Sequence, residues 1–441
     1  MLSLLVWRRP ELEVARGLMW PYEGFGARHQ VFAETAEKGA SRFVREQARR
    51  FLAFLPFPGQ WAWMARVENE NGGEREVKKF LSLEEAEISR KIDLKPQRHS
   101  KLRHFCQILK SPETGGEKGV LRIFSLPYLF TRQDLLRRLS RRYVLFVEPP
   151  MGVVFRHLWW RYFAVLEDPC VMGVSSMEDA LFLRGQANVE PVQLAHGDFL
   201  EETDPRSPGS EKQYDIVFNA TFDDMERKRH DLMLQLLLHP LLRSTKVLFL
   251  GRGSRDNVEK LEEQVIQRGL GPRVTVLANL KRSEVPEWLD RCRMGVHLSL
   301  YENACRSIYE FFRSDLPCVI SSSMGGMNLV HFAGQTGEAV TDGELPAAIA
   351  SVLGNSKKYE PRKWFLAHSG SRNSSRKLNE ILRGLYGQWG YEWCADIVPL
   401  GSSGASRYID ASSCEHFRPE FDWILECFRE SSDSCLTFSI D

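Results

Sequence analysis

From about Val120 onward, short aliphatic or β-branched runs bounded by Gly, Pro or Ser alternate with amphipathic segments of helical length, and this alternation constrains the fold more than any other feature. Apolar runs that do not alternate in and out need a sheet covered on both faces, which parallel strands joined by crossover helices provide. The runs VLRIFSL, YVLFVEPP, CVMGVSS and VEPVQLA form a first series. A polar stretch from Thr203 to Gln213, with two prolines and a glycine, then interrupts the pattern. YDIVFNA, KVLFLGRGS, RVTVLANL, MGVHLSLYE and PCVISSS form a second series of five strands.

The class expected is α/β, with two Rossmann-like doubly wound parallel-sheet domains. A chain of 441 residues exceeds what one core usually serves. The boundaries expected are an N-terminal domain at 1–203, a linker at 204–213, a C-terminal domain at 214–385 and a tail at 386–441 packing back on the first domain. Residues 1–120 are less regular: a basic helical stretch near Arg42–Phe54, strand material in FLPFPGQWAWMARV and a charged loop at Glu68–Lys79.

The near-neutral net charge hides an asymmetry. Residues 1–142 hold 27 Lys and Arg against 17 Asp and Glu, and the remainder 32 against 41. An anionic partner, a phosphorylated acceptor or an acidic membrane surface, fits the basic part, and so does a plain solvated face. Nine cysteines form no CxxC pair and no zinc or disulfide spacing, which suits a reducing cytoplasm. MLSLLVWRRP is too short to span a bilayer and no later stretch reaches ~18 uninterrupted apolar residues. A cytoplasmic protein is expected, with peripheral contact at the inner face of a membrane left open.

Open α/β sheets bind ligands beyond the carboxyl ends of their strands, so the loops of the second series are where chemistry is expected. In HLSLYENACRSIYEFFRSDLPCVI, Glu302 ends a strand and Glu310 follows eight positions on, about two turns into a helix. The backbone N–H groups of Asn303, Ala304, Cys305, Arg306 and Ser307 open that helix and suit a phosphate, with the Arg306 side chain adding charge. Two carboxylates accepting hydroxyl hydrogen bonds beside such a terminus describe a nucleotide-sugar site. Two Glu at this spacing also occur on solvated helices, but Glu302 sits at a strand end and not on a helix face.

Two other loops contribute. In FNATFDDMERKRHD, Thr221, Arg227 and Lys228 lie where a helix starts, so these cations are favoured there only if an anion is present; a diphosphate would supply it. Pairing with Asp223, Asp224 and Glu226 is the competing explanation. FLGRGSRDN carries Gly251, Arg252 and Gly253, where absent side chains admit either a ligand or a plain turn. A third glycine is missing, so a dinucleotide fingerprint is not expected.

Taken in order, Ser299, Glu302, Glu310, Pro317-Cys318-Val319, Gly325-Gly326 and Gly334-Gln335-Thr336-Gly337 resemble the motif series of retaining GT-B glycosyltransferases of glycosyltransferase family 4 (glycosyl transferases group 1). The likeness spans about residues 140–385, with VEPVQLAHGDFLEE resembling the close of that family's first domain. It implies a GT-B fold whose domains face a cleft, and a nucleotide-diphosphate sugar as co-substrate. It also implies Glu302 on sugar hydroxyls, Glu310 on the ribose, Lys228 on the diphosphate, and transfer with retention and no required metal or other cofactor.

The chain departs from the family in two places. Asn303-Ala304-Cys305 stands where the family has Gly-Phe-Gly, and Asp223 where it has an Arg, leaving Arg227, Arg229 or Arg252 to substitute. The acceptor, a glycan, a lipid-linked sugar or a small molecule, would meet the first domain, with His196 the best-placed of His104, His157 and His196, and with Tyr22–Arg28 the candidate acceptor loop. No nucleic-acid partner is expected. The alternative to an enzyme is a non-catalytic GT-B-like nucleotide-sugar-binding protein.

Overall fold

The computed structural model describes residues 106–431 except for 114–115, 125–132, 150–162, 164–165, 185–187, 204–210, 301, 304, 333 and 402–407, together with residues 38, 41–45 and 102. FLPFPGQWAWMARV, the Glu68–Lys79 loop, Tyr22–Arg28, His104, His157 and Ala304 lie outside the described residues. The chain divides into two compact units. From Cys106 on, residues up to Glu201 and those from Ser371 belong to one unit, and Glu202–Gly370 to the other.

The first unit holds β1 (Cys106–Lys110), β2 (Gly119–Phe124), α1 (Gln133–Arg142), β3 (Tyr143–Glu148), β4 (Cys170–Gly173), α2 (Met177–Arg184) and β5 (Val189–Val192). Its sheet runs β1-β2-β3-β4-β5. The four strands from β2 to β5 are parallel, and β1 adds an antiparallel edge through Cys106↔Ile123 and Ile108↔Leu121. β1 was not among the expected strands. Its five residues, CQILK, include Gln107 and Lys110, both buried, so composition does not advertise it.

The second unit holds β6 (Tyr214–Asn219), α3 (Met225–Lys228), α4 (His230–Leu236), β7 (Val247–Gly251), α5 (Arg255–Gln267), β8 (Val274–Ala278), α6 (Val285–Asp290), β9 (Cys292–His297), α7 (Arg306–Arg313), β10 (Cys318–Ser321), β11 (Gly337–Val340), α8 (Leu345–Gly354) and α9 (Pro361–His368). All six strands are parallel, in the order β11-β10-β9-β6-β7-β8. Ile216, Phe218, Phe249, Met294, Val296 and Val319 from the central strands meet Met233, Leu261, Ile349 and Val352 from the helices in one core. Burying each such side chain contributes ~1.5–3 kcal/mol.

Six strands stand where five were expected. β11 is only GEAV, and its first residue is the last glycine of the turn Gly334–Gly337. Gly337 has φ +148° and a Cβ there would overlap the Cys318 carbonyl, so the edge strand can approach β10 only with glycine at this position.

The chain returns to the first unit at Ser371, ahead of the 386 expected from sequence. α10 (Ser371–Gln388) carries Leu378, Leu382, Leu385 and Tyr386 along one face, and these pack with Leu109, Val120, Val144, Phe146 and Phe199 of the first unit. The Tyr386 hydroxyl lies 2.9 Å from the Lys118 carbonyl oxygen and 3.0 Å from that of Gly119. After α11 (Ser413–His416), α12 (Arg418–Ser431) lies against α1. There Glu420 accepts from Arg142 at 2.7 and 3.0 Å and from the Tyr143 hydroxyl, and Glu430 pairs with Arg138. Part of the basic charge of α1 is thus met by this chain's own tail. Among the described residues no helix is long and apolar enough to cross a membrane.

Candidate functional site

In the second unit the chain builds β6, β7 and β8 outward in one direction, then places β9, β10 and β11 on the other side of β6. The direction reverses between β6 and β9, and the loops leaving these two strands diverge around a crevice at their carboxyl ends. The β6 loop carries Thr221, Arg227 and Lys228; the β9 loop carries Ser299, Glu302, Asn303 and Cys305 and leads into α7.

Backbone bonds fix the two loops together. The Leu300 N–H donates to the Arg227 carbonyl at 3.0 Å, the Gly325 N–H to Leu300 at 2.9 Å, and the Glu302 N–H to Gly325 at 2.9 Å, which adds the loop after β10 to the assembly. α7 lies close on the sheet because Gly295 in β9 leaves room for Phe311: a Cβ at this position would overlap the Phe311 ring. Behind the site, Arg229, fully buried at φ +60°, joins Asp342, Ser321 and Ser323, tying the ends of β10 and β11 to the β6 loop.

Glu302 is the hub. Its Oε1 pairs with the Lys228 ammonium, accepts from Arg227 Nη1 at 3.0 Å and lies 3.4 Å from His297 Nε2. Arg227 Nη1 is also 3.3 Å from Ser299 Oγ, and its Nε pairs with Asp224 at 2.5 Å. Glu302 and Lys228 are only 7% and 8% exposed, so these contacts are little screened by solvent. Burial alone would raise the Glu302 carboxyl; Lys228 and Arg227 outweigh it and hold the group well below the usual carboxylate range.

Eight residues on, Glu310 accepts from Arg306 Nε at 2.7 Å and from Asn219 Nδ2, at the end of β6, at 3.4 Å. The second carboxylate therefore also meets the carboxyl end of β6. Cys305, inside the site, brings its Sγ within 3.4 Å of His297 Nε2. Burial acts to raise the Cys305 thiol, but His297 prevails and the thiol lies below its ordinary value. His297 is lowered by burial and raised by Cys305 and Glu302, ending above its ordinary value.

Other residues singled out in the sequence make local contacts within these loops. A Cβ on Gly251 would overlap the Ala220 carbonyl, and one on Gly253 would lie 2.7 Å from Phe222 Cβ, so both glycines let the β6 and β7 loops touch. Thr221 Oγ1 donates to the exposed Arg252's carbonyl at 3.0 Å in the same contact. Asp223 accepts from the Ser254 N–H at 2.7 Å, next to the start of α5, while Asp224 holds Arg227, so the two carboxylates serve different partners. Of the α7 amides, Cys305 N–H already donates to Met327 Sδ at 3.3 Å. Asn303 is buried and Ser307 half-buried beside it. His196 begins a short 3-10 turn after β5 in the first unit.

His297 is the member that sequence reasoning missed. A lone polar residue in the apolar run MGVHLSL was the available signal. His297, Glu302 and Cys305 also form one of two groups among the described residues whose ligand atoms all lie within 4.8 Å of one another; the other is Glu113, Glu117 and Cys394.

Residues 201–363 match the family model of glycosyl transferases group 1, a GT-B domain, and the match falls almost wholly on the second unit. No curated protein sequence matches the chain. Among solved structures it is similar to S. aureus TarM in complex with UDP, fondaparinux and α-GlcNAc-glycerol (14% identity over 54% of this chain and 51% of that one, TM-score 0.45). It is also similar to sucrose-phosphate synthase from Thermosynechococcus elongatus (15%, 60% and 73%, TM-score 0.48) and to the pneumococcal O-GlcNAc transferase GtfA with UDP and GlcNAc (10%, 64% and 70%, TM-score 0.46). The chain spans about half the length of the TarM chain. Two α/β units built on mainly parallel sheets, and a stretch that matches the group 1 model, agree with the GT-B fold class.

Proposed function

We propose that this chain transfers a sugar from a nucleoside-diphosphate sugar to an acceptor, with retention of anomeric configuration and without a required metal. The observation that carries the reading is the gathering of Lys228, Arg227, Glu302 and Glu310 around the switch point between β6 and β9, inside the stretch that matches glycosyl transferases group 1. In this reading Lys228 and Arg227 hold the diphosphate, Glu302 the sugar hydroxyls and Glu310 the ribose.

The chemistry follows from charge. As the bond between the anomeric carbon and the leaving oxygen breaks, negative charge grows on the diphosphate. Two cations fixed beforehand, Lys228 buried and Arg227 half-buried, stabilise that charge without reorganisation, and in a dry site each is worth more than in water. Glu302 in turn faces the positive charge on the sugar ring. An entering diphosphate takes over contacts that Glu302 now makes, so the ion pairs keep both cations in place before the donor arrives. The acceptor is a glycan, a lipid-linked sugar or a small molecule, and the nine cysteines, without a disulfide or zinc spacing, support action in the cytoplasm.

The test incubates the purified chain with UDP-, GDP- and ADP-sugars and a mixed acceptor panel, following nucleoside diphosphate release and product anomer by NMR. Release by the wild type with an α-for-α product, abolished in Glu302→Ala, is the expected result. Wild-type turnover in Glu302→Ala would remove the assignment. A second reading, a protein that binds nucleotide sugar without transfer, is favoured by the β9 loop, where Asn303 and Cys305 are buried in place of glycines. Saturable nucleotide binding with no release over long incubation would select it.

A further inference from the structure

We infer that His297, Glu302 and Cys305 form a site for a soft divalent cation, with Zn2+ the best fit, and that its occupancy opposes the ion pairs of Glu302. The donor set is one imidazole nitrogen, one carboxylate oxygen and one sulfur, the three ligand types zinc takes in proteins. In a zinc tetrahedron with these ligands the donor atoms lie about 3.3–3.6 Å apart, from Zn–S ≈ 2.3 Å and Zn–N or Zn–O ≈ 2.0–2.1 Å. Two of the three edges already have that length: Cys305 Sγ to His297 Nε2 is 3.4 Å and His297 Nε2 to Glu302 Oε1 is 3.4 Å. The third pair lies within 4.8 Å.

A thiolate and a carboxylate neutralise the ion itself among three buried residues, and Arg227 keeps Asp224 when Glu302 turns to the cation, while the buried Lys228 ammonium loses its partner, a cost that the metal–ligand bonds must outweigh. On binding, the thiol proton leaves to solvent as the Zn–S bond forms. Three protein ligands leave a fourth position for water, as catalytic zinc sites do.

The consequence concerns Glu302. Drawn toward a cation, it releases Lys228 and Arg227, both of which it now holds. Zinc is therefore an antagonist of the resting site and plays no part in the proposed transfer. The inference stands on the three donor atoms alone and survives even if the chain transfers nothing.

Glu113, Glu117 and Cys394 offer a competing group, although Glu117 is engaged by Lys110 and by the Cys394 N–H at 3.0 Å. The test therefore uses the full chain carrying Cys394→Ala, reduced and titrated with Co2+ alone and then Zn2+. One Co2+ per chain is expected, with a near-ultraviolet thiolate charge-transfer band that one equivalent of Zn2+ removes. Adding Cys305→Ser abolishes the band and weakens Zn2+ at least tenfold, and adding His297→Gln weakens Zn2+ at least tenfold while the band persists at saturation. X-ray absorption on the zinc-loaded Cys394→Ala chain needs no further variant and should give one sulfur with nitrogen or oxygen neighbours. No thiolate band, a band that Cys305→Ser leaves intact, or a shell with no sulfur or several would overturn the inference.

Discussion

Lys228→Met keeps the aliphatic stem of the side chain and removes only its ammonium, so it isolates what that charge does for Glu302. Afterwards the buried carboxylate retains Arg227 at 3.0 Å and His297 at 3.4 Å. At 3.0 Å and an effective dielectric near 20, one such pair is worth roughly 5–6 kcal/mol of Coulomb energy before desolvation is counted. Removing one partner of a buried pair costs about 3–5 kcal/mol, and because Arg227 remains the lower end, about 3 kcal/mol, is expected. For a unit of this size that lowers the melting temperature by roughly 6–12 °C.

The pH dependence carries a sign. Glu302 titrates below its ordinary value in the folded chain, so its stabilisation is complete above about pH 4.3 and fades as pH falls toward the folded value. Lys228→Met brings that value back up, so the deficit is largest at neutral pH and shrinks below about pH 4. Urea unfolding at pH 7 and at about pH 3.5 measures both, and the double variant Lys228→Met/Glu302→Gln should lose less than the sum of the single variants. A deficit under about 1 kcal/mol at pH 7, or one that does not change with pH, would refute the reasoning.

Two further outcomes concern other parts of the fold. Gly295→Val pushes a side chain into the Phe311 ring and lifts α7 off the sheet, costing about 1–3 kcal/mol in urea unfolding and displacing Glu310 and Arg306 together, so that nucleotide affinity falls with stability. Glu420→Gln takes the charged acceptor from Arg142 and Tyr143, and should loosen α12 from α1 by about 1 kcal/mol, read as faster proteolysis of the C-terminal segment with the melting of the second unit unchanged.

The strands β6 to β10 were legible because each is a short, mostly apolar run bounded by loop residues and alternating with helix-length amphipathic segments. The same alternation located Glu302 and Lys228, since a strand that ends and a helix that begins place the intervening residues at the carboxyl edge. β11 was not legible: four residues opening with a glycine look like the turn they follow. α10 has an apolar face that would serve either unit, and only the packing of Leu378, Leu382 and Tyr386 decides between them. Gly251 was read as admitting either a ligand or a plain turn, and the Ala220 carbonyl lies where its side chain would be. His297 belongs to the site through a strand position that periodicity assigns to the core, and pairwise distances, not spacing, bring it to Glu302 and Cys305.

The most direct trial of a donor site at the β6 and β9 strand ends is calorimetric titration of the wild type and of Lys228→Ala with UDP, GDP and ADP. One of the three should bind the wild type at a single site and bind Lys228→Ala at least tenfold more weakly, a difference of about 1.4 kcal/mol. Equal affinity in the two proteins, or no binding of any nucleotide to the wild type, would contradict the account.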